Sequence, residues 1–222
     1  MIRLENMTKV YTMGKRELTV LRGVNVHIKR GEMVAIMGPY GSGKTTMLNM
    51  LGCLDVPTSG SYFLDGREVS RLNSKELTDV RAHKIGFIFQ SYNLLPQISA
   101  LANVELGQRY AGCPDTNRAL EALERVGLAD RAHHKPSEMS GGEQQRVSIA
   151  RAIVKTPPLI LADEPTGNLD SKSGSEIMSI LADLYKDHDN TLIMITHEAE
   201  IAHYCQRILH FRDGLVVNEE SI

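Results

Sequence analysis

Cysteine is scarce in this sequence. Only Cys53, Cys113 and Cys205 occur among the 222 residues, they lie far apart, and no C-x-x-C motif is present. An odd number of widely spaced cysteines argues against a disulfide framework and against a cysteine-based zinc site. The sequence therefore favours a reduced, cytoplasmic setting.

An excess of positive charge and long apolar runs are missing as well. The formal net charge is -2 and the sequence pI is about 6.4. General nucleic-acid binders carry a basic field, so we expect no nucleic-acid partner. No apolar run approaches the roughly 20 residues that span a bilayer, and the charged first residues do not form a secretory signal. We therefore expect a chain that is not itself integral to a membrane.

Short continuous apolar runs are present instead, and they alternate with helical patterns. The runs are "EMVAIM" from Glu32 to Met37, "PLILAD" ending at Asp163 and "TLIMIT" ending at Thr196. Such runs indicate strands buried on both faces, and alternation with helices predicts an α/β fold with a mostly parallel sheet. One predicted helix carries Ile177, Ile180, Leu181 and Leu184 on one face.

The pattern predicts one domain over residues 1–222 with two embellishments. Alternating residues near the start, as in Val24–Lys29, predict an antiparallel β part. A helical part over about 93–154 looks inserted between core segments at about 1–92 and 155–222. Within the helical part, Thr116 is predicted to cap a helix that Gly127 ends. The buried face of that helix is predicted to carry Ala119, Leu120, Leu123 and Val126.

The stretch "GPYGSGKT", Gly38–Thr45, fits the phosphate-loop pattern G-x-x-x-x-G-K-[ST] between a buried strand and a helix. Its glycines let successive backbone N–H groups face phosphates. Lys44 adds positive charge, and the Thr45 hydroxyl is suited to Mg²⁺. The predicted nucleotide-binding residues here are Gly38, Tyr40, Gly41, Ser42, Gly43, Lys44, Thr45 and Thr46.

Two acidic residues end another apolar strand. Asp163 is suited to hold Mg²⁺, and Glu164 is then placed to act as general base for a water attacking the γ-phosphate. Alone, the pair could equally be an acidic strand-to-loop turn; beside a phosphate loop the catalytic interpretation is favoured.

A second anion site is predicted at Ser140, Gly141 and Gly142, where a Ser-Gly-Gly turn precedes a helix. Two phosphate-binding surfaces in one chain suggest a dimer in which each surface covers the partner's nucleotide. The alternative is a capped helix with no ligand.

Three further residues follow or end predicted strands. His197 follows "TLIMIT" and is suited to hydrogen-bond a γ-phosphate. Gln90 ends "IGFIFQ" and is suited to contact Mg²⁺ or the water. Tyr11 is suited to stack on adenine, although an aromatic residue ending a strand more often packs in the protein.

These motifs, with "SGGEQ" at Ser140–Gln144 and "GNLD" at Gly167–Asp170, resemble the ATP-binding cassette family over essentially the whole chain. Stretches such as "GFIFQSYNLLP" and "LADEPTGNLDS" are similar to the group of lipoprotein-release, macrolide-export and antimicrobial-peptide-export ATPases.

The resemblance implies an ATPase with ATP and Mg²⁺ that forms a head-to-tail homodimer and drives an integral membrane permease at the inner membrane face. It implies that Ser140 and Gly142 cap the opposite γ-phosphate and that Asp170 signals across the dimer. The segment carrying Tyr92, Leu94 and Leu95 would face the permease.

Tyr40 stands where similar proteins mostly have serine or asparagine. Because the backbone grips the phosphates, its side chain can point away from them, and the resemblance implies that it faces the partner subunit. We hypothesise that Tyr40 alters dimer closure while leaving ATP binding intact.

Two alternatives stay open. One is a cassette protein that acts on DNA or ribosomes instead of a transporter. Only 49 residues lie between Gln90 and the motif that begins at Ser140, too few for the long coiled coil of the DNA-repair type. The other is a cassette that drives mechanical signalling across the membrane instead of export.

Overall fold

The computed structural model describes residues 1–14, 16–186 and 190–222. The strands are β1 (Ile2–Met13), β2 (Arg16–Ile28), β3 (Met33–Met37), β4 (Ser59–Leu64), β5 (Arg67–Glu68), β6 (Ile85–Ile88), β7 (Leu159–Asp163), β8 (Thr191–Ile195), β9 (Arg207–Arg212) and β10 (Leu215–Ser221). The helices are α1 (Lys44–Leu51), α2 (Ser74–Lys84), α3 (Ala100–Arg109), α4 (Thr116–Arg125), α5 (Gly141–Ile153), α6 (Ser171–Lys186) and α7 (Ala199–Ala202). Among the described residues, no helix combines the length and the apolar character needed to cross a bilayer.

The chain divides into two compact units. The first comprises Met1–Thr78 and Asp189–Ile222, and the second comprises Asp79–His188, so the boundary falls within α2. The predicted division, with a helical part at about 93–154, uses other boundaries and stays a prediction.

The first unit holds an antiparallel sheet in the order β2-β1-β4-β5, which confirms the predicted antiparallel β part. It also holds β3, which pairs in parallel with β8 on one side and β9 on the other, and β10 runs antiparallel to β9. Val34, Ala35 and Ile36 of β3 have no exposed surface. A strand with neighbours on both edges and apolar cover on both faces accounts for the continuous apolar run that predicted it.

The second unit is built on the parallel pair β6 and β7, in which Ile85 lies opposite Leu159 and Ile88 opposite Ala162. The helices α3, α4 and α5 come between these two strands in the chain and pack on one another, and α5 also packs against β6. The prediction of a helical block between strands of an α/β core is therefore confirmed.

Two predictions about α4 are wrong. The capping residue is Asp115, whose carboxylate accepts from the N–H groups of Asn117 and Arg118 at 2.9 and 3.3 Å, while Thr116 is already the first helical residue. Leu120 is 38% exposed, because one residue along a helix turns the side chain about 100° from the face that begins at Ala119. Ala122 takes its place in the buried face. Gly127, with φ 70°, follows the helix end as predicted.

Candidate active site

The predicted phosphate loop connects β3 to α1 in the first unit. At Gly38 a Cβ atom would clash with the backbone carbonyl oxygen of Phe211 in β9, so only glycine allows the two backbones to approach this closely. Gly43 precedes α1 with φ 103°, a left-handed conformation that favours glycine. Both glycines are therefore required by the local backbone, as the motif predicts.

The start of α1 is open to an anion. No side chain caps this helix, all of whose residues the structure describes, and its first turn contains no acidic residue. The first N–H groups of a helix lack intrahelical partners, and the helix dipole places partial positive charge at this end. An anion such as phosphate is therefore stabilised here without competition from a side chain.

Two polar side chains of the loop also fit an anionic ligand. The Lys44 ammonium donates to the backbone carbonyls of Gly38 and Pro39 at 2.7 and 2.9 Å. Its positive charge therefore lies directly over the loop. The Ser42 hydroxyl is buried and has no hydrogen-bond partner within the described residues. A buried hydroxyl without a partner is unfavourable, so a ligand oxygen at this loop would satisfy it.

Tyr40 and His197 lie beside Lys44 around an open cavity of about 390 Å³. The two ring centroids are 5.9 Å apart, and the Lys44 nitrogen is 5.9 Å from the Tyr40 ring centroid. The Tyr40 ring therefore lines this cavity in the single chain. The expectation that it points away from bound phosphates and faces a partner subunit stays a prediction. His197 is exposed just past the end of β8, in the predicted position.

His210 lines the same cavity and was missed in the sequence. It lies in β9 directly opposite Met37, the last residue of β3, and its Nε2 atom is 3.0 Å from a carboxylate oxygen of Glu220. Nothing in the local sequence distinguishes it from the other histidines, because only the β3–β9 register brings it to the loop.

Tyr11, the predicted adenine-stacking residue, lies within β1, two residues before its end. Its hydroxyl donates to Asp55 at 2.9 Å, and the Lys9 ammonium, which pairs with Asp55 at 2.7 Å, lies 4.8 Å from the ring centroid. Burial, and then the bond to Asp55, raise the pKa of Tyr11. Burial alone would raise the pKa of Asp55, but the hydrogen bonds from Lys9 and Tyr11 outweigh it and lower that pKa. The hydrogen bond from its hydroxyl to Asp55 therefore fixes the position of the Tyr11 ring.

The second unit carries the predicted general base. Glu164 directly follows Asp163, the last residue of β7, and has φ 43°, a left-handed conformation that is uncommon outside glycine. Its carbonyl accepts from the N–H of Gly167 at 3.0 Å. A Cβ atom built at Gly167 would lie 2.7 Å from Nε2 of Gln90 and 3.3 Å from a carboxylate oxygen of Glu164. The structure therefore brings Gln90 and Glu164 together over Gly167.

The Ser-Gly-Gly turn caps α5. The Ser140 hydroxyl accepts from the N–H of Glu143, and the Glu143 carboxylate accepts from the N–H of Ser140 at 2.8 Å. The bond from the Ser140 N–H is the largest cause of a lowered pKa for Glu143. The geometry is that of the capped helix considered as the alternative, and the second anion site at Ser140, Gly141 and Gly142 stays a prediction.

Asp170 has a structural role that the sequence did not suggest. One carboxylate oxygen accepts from the N–H groups of Lys172 and Ser173, and the other accepts from the Ser173 hydroxyl at 2.8 Å. These bonds, led by that from the Ser173 N–H, lower the pKa of Asp170. Asp170 is thus the N-terminal cap of α6, in addition to its predicted role in dimer signalling.

Known proteins resemble this chain along its whole length. Residues 21–167 match the family model described as "ABC transporter". An uncharacterized ABC transporter ATP-binding protein, MJ0796 of Methanocaldococcus jannaschii, is 48% identical over 100% of this chain and 97% of its own length. The chain belongs to the ABC transporter family.

Two solved structures of MJ0796 extend this likeness to the fold of the family. One is a dimeric structure, and the other is a dimeric post-hydrolysis state bound to ADP and Pi. Each has a TM-score of 0.92 and covers 100% of this chain and 98% of that chain, at 47% and 46% identity. The predicted α/β phosphate-loop fold is confirmed.

The macrolide export ATP-binding/permease protein MacB of Vibrio parahaemolyticus is 49% identical over 98% of this chain. The chain spans only about a third, 34%, of the length of that relative. Membership of the ABC transporter family confirms the prediction of an ATP-binding subunit that hydrolyses ATP, with Mg²⁺ as its cofactor.

In this ABC transporter chain, the half-buried Arg151 and the buried Asn103 hold the segment that follows Gln90. Arg151 of α5 donates to the backbone carbonyls of Tyr92 and Asn93 at 2.8 and 2.6 Å, and both of those residues have positive φ. Asn103 of α3 pairs with the N–H and carbonyl groups of Leu95 at 2.8 and 3.1 Å. The predicted permease-facing loop therefore has a defined shape, and neither side chain was predicted to hold it.

Proposed function

We propose that this chain hydrolyses ATP as half of an ATP-dependent head-to-tail homodimer whose closure and reopening drive a membrane permease at the inner face of the membrane. The observation that carries the proposal is the start of α1, where no side chain caps the helix, the Lys44 ammonium lies over the loop, and the Ser42 hydroxyl has no partner among the described residues. The dimeric structures of MJ0796 and the joint ATP-binding and permease name of MacB support the assembly.

Each residue then has a defined task. The backbone N–H groups of Gly41, Gly43 and Thr46, with the Lys44 ammonium, bind the phosphate oxygens. The Glu164 carboxylate accepts a proton from the attacking water, and His197 donates to the developing charge on the terminal phosphate. Tyr11 packs on the adenine ring.

The protein atoms offered to Mg²⁺ are oxygens, the ligand type that this ion prefers. Thr45 supplies a hydroxyl, Asp163 a carboxylate and Gln90 an amide oxygen. Within residues 1–14, 16–186 and 190–222 no cluster of three or more His, Cys, Asp or Glu could hold a metal by itself. That fits Mg²⁺, which takes few protein ligands and completes its shell with phosphates and water. When bound, the ion neutralises charge that develops on the phosphates.

The transported material is proposed from the relatives. The names of the MacB proteins refer to macrolide export. We propose that the permease exports or releases lipoprotein, peptide or drug-like molecules, with the loop Tyr92–Leu95 as its contact on this chain. Co-purification of the permease with the wild-type chain, lost on Leu95→Asp, tests this contact.

Replacing Glu164 with Gln tests the catalytic assignment. The amide has the same shape but cannot accept the water's proton, so turnover should fall about 10²- to 10⁴-fold. Nucleotide binding should persist, and an ATP-dependent dimer should accumulate, because the loss of one negative charge beside the phosphates favours the bound state. Mg²⁺-dependent phosphate release and light scattering measure both. Wild-type turnover by this variant would remove Glu164 from the mechanism.

A further inference from the structure

A buried glutamine connects α5, the helix that begins after Ser140, to the loop that carries the proposed base Glu164. Gln145 lies five residues after Ser140 in α5, and its side chain has no exposed surface. Its Nε2 atom donates to the backbone carbonyl of Pro165 at 2.7 Å, across 20 residues of sequence. Its Oε1 atom is buried without a partner among the described residues.

That carbonyl belongs to a strained turn. Glu164 has φ 43°, which costs energy for a residue with a side chain and persists only where surrounding contacts enforce it. The Gly167 N–H holds the Glu164 carbonyl from one side at 3.0 Å. Pro165 has no N–H, so its carbonyl is its one backbone hydrogen-bonding group. Gln145 binds that group and thereby fixes the second peptide of the turn.

The direction of the Glu164 carboxylate follows from this backbone. The Glu164 carboxylate is placed by the backbone on both sides of its Cα atom, so a shift of the 165–166 peptide, which Gln145 holds through the Pro165 carbonyl, would displace the carboxylate from Gly167 and Gln90. An apolar side chain of the same length would fill the space around Gln145 without a buried, unpartnered oxygen. The buried, unpartnered oxygen of Gln145 destabilises the fold. The feature of Gln145 that an apolar side chain cannot provide is the hydrogen bond to the Pro165 carbonyl.

We propose that Gln145 is a positioning residue that keeps Glu164 in its hydrolytic orientation and links that orientation to the helix that begins at Ser140. The inference rests on the proposed role of Glu164. Under this proposal, a displacement of the start of α5 would move the Pro165 carbonyl through Gln145, and the Glu164 carboxylate would move with it.

The test compares Gln145→Met with Gln108→Met. Gln108 is a matched control, because it is also a glutamine of the second unit and is only 1% exposed. Its amide oxygen accepts from the Asp115 N–H, and its amide nitrogen is buried without a partner among the described residues. Each variant loses a buried amide, but only Gln145→Met releases the Pro165 carbonyl. Unfolding midpoints of both variants report the purely structural cost.

Gln145→Met should lower kcat for ATP hydrolysis on the order of 10- to 100-fold, since small misplacement of a catalytic group has effects of this size. The dissociation constant for ATP should stay within about threefold of wild type, and the ATP-dependent dimer should accumulate. Hydrogen exchange of the peptide covering Glu164–Leu169 should speed up at least about tenfold relative to Gln108→Met, a readout that does not depend on turnover. Gln145→Leu serves if the Met variant does not fold.

A Gln145→Met protein with wild-type kcat and unchanged exchange at Glu164–Leu169 would overturn the inference, as would equal losses in both variants. Combination with Glu164→Gln separates this outcome from a failure of the proposed function. If Glu164→Gln lowers turnover as expected but leaves a measurable rate, the double variant should lose little further turnover. If Glu164→Gln retains wild-type turnover, the base has been misassigned, and the exchange data still report whether Gln145 holds the loop.

Discussion

Replacement of Tyr40 by Ser separates the binding of ATP from the closure of two chains around it. In the single chain the Tyr40 side chain is 84% exposed and its neighbours are the His197 ring and the Lys44 ammonium, each at 5.9 Å. Such an exposed residue contributes little to folding, so the free energy of unfolding should change by less than about 0.5 kcal/mol. An exposed cation–π contact contributes about 0.5–1 kcal/mol, so nucleotide affinity should change less than about fivefold.

The expected effect on dimerisation is larger. A buried tyrosine side chain covers about 200 Å², so full burial of the exposed 84% would remove about 170 Å² from water. At about 25 cal/mol per Å² this gives an upper limit near 4 kcal/mol for each copy, and truncation of an interface aromatic residue typically costs about 2 kcal/mol or more. Two copies per dimer then weaken association by about 4 kcal/mol, on the order of 10³-fold. If the ring instead crowds the partner, Ser should strengthen the dimer.

The assay uses the Glu164→Gln chain, so that hydrolysis does not dissolve the dimer. Sedimentation with and without ATP measures dimerisation, and a fluorescent nucleotide measures affinity. Tyr110→Ser is the matched control, because Tyr110 is 78% exposed and lies outside every proposed site. We expect monomers without nucleotide and a shifted dimer constant for Tyr40→Ser alone. A change confined to nucleotide affinity would refute the interface argument and make Tyr40 a ligand-binding residue only.

Two further predictions concern stability. Asp115→Ala should lower the free energy of unfolding by about 1 kcal/mol in urea titrations, because the α4 cap is lost, whereas Thr116→Ala should change it far less; the reverse order would contradict the assigned cap. Burial lowers the pKa of Lys155 to about 8 in the folded chain, from an ordinary 10.5. Between these two pH values the unfolded chain binds more protons than the folded chain. The contribution of Lys155 to the free energy of unfolding therefore rises with pH across that window. The stability of wild type relative to Lys155→Met should therefore increase by roughly 2 kcal/mol between pH 7.5 and 10, and a pH-independent difference would refute the shift.

Most of the fold could be predicted from the sequence, because the signals are local. The buried strands β3, β7 and β8 are short continuous apolar runs in the sequence. The errors on α4 are local as well. An aspartate and a threonine are adjacent and both are good caps, and Leu120 is apolar but lies one residue off the buried face.

The site was predictable where function depends on residue type at fixed spacing, as in Gly38–Thr45. It was not predictable where it depends on strand register or on distant partners. His210 reaches the cavity only because β9 pairs with β3, and Gln145 and Arg151 act through carbonyl groups 20 and 58 or more residues away. A backbone carbonyl leaves no trace in the residue type, so sequence patterns do not reveal these contacts.

The starts of helices α1 and α5 differ in how well they can bind a phosphate, and this difference explains why dimerisation should require nucleotide. Within the described part of the chain, no side chain caps the start of α1, and its first turn contains no acidic residue. Its N–H groups and dipole are therefore available to a phosphate in the single chain. The start of α5 is already satisfied by Ser140 and carries the negative charge of Glu143. That charge offsets much of the helix dipole, so α5 alone should attract a free anion only weakly. It can contribute appreciably only when a phosphate is presented in fixed geometry, as on the α1 end of a second chain. Phosphate should therefore bind first at the loop of one chain, and only then make the α5 end of another chain a favourable partner.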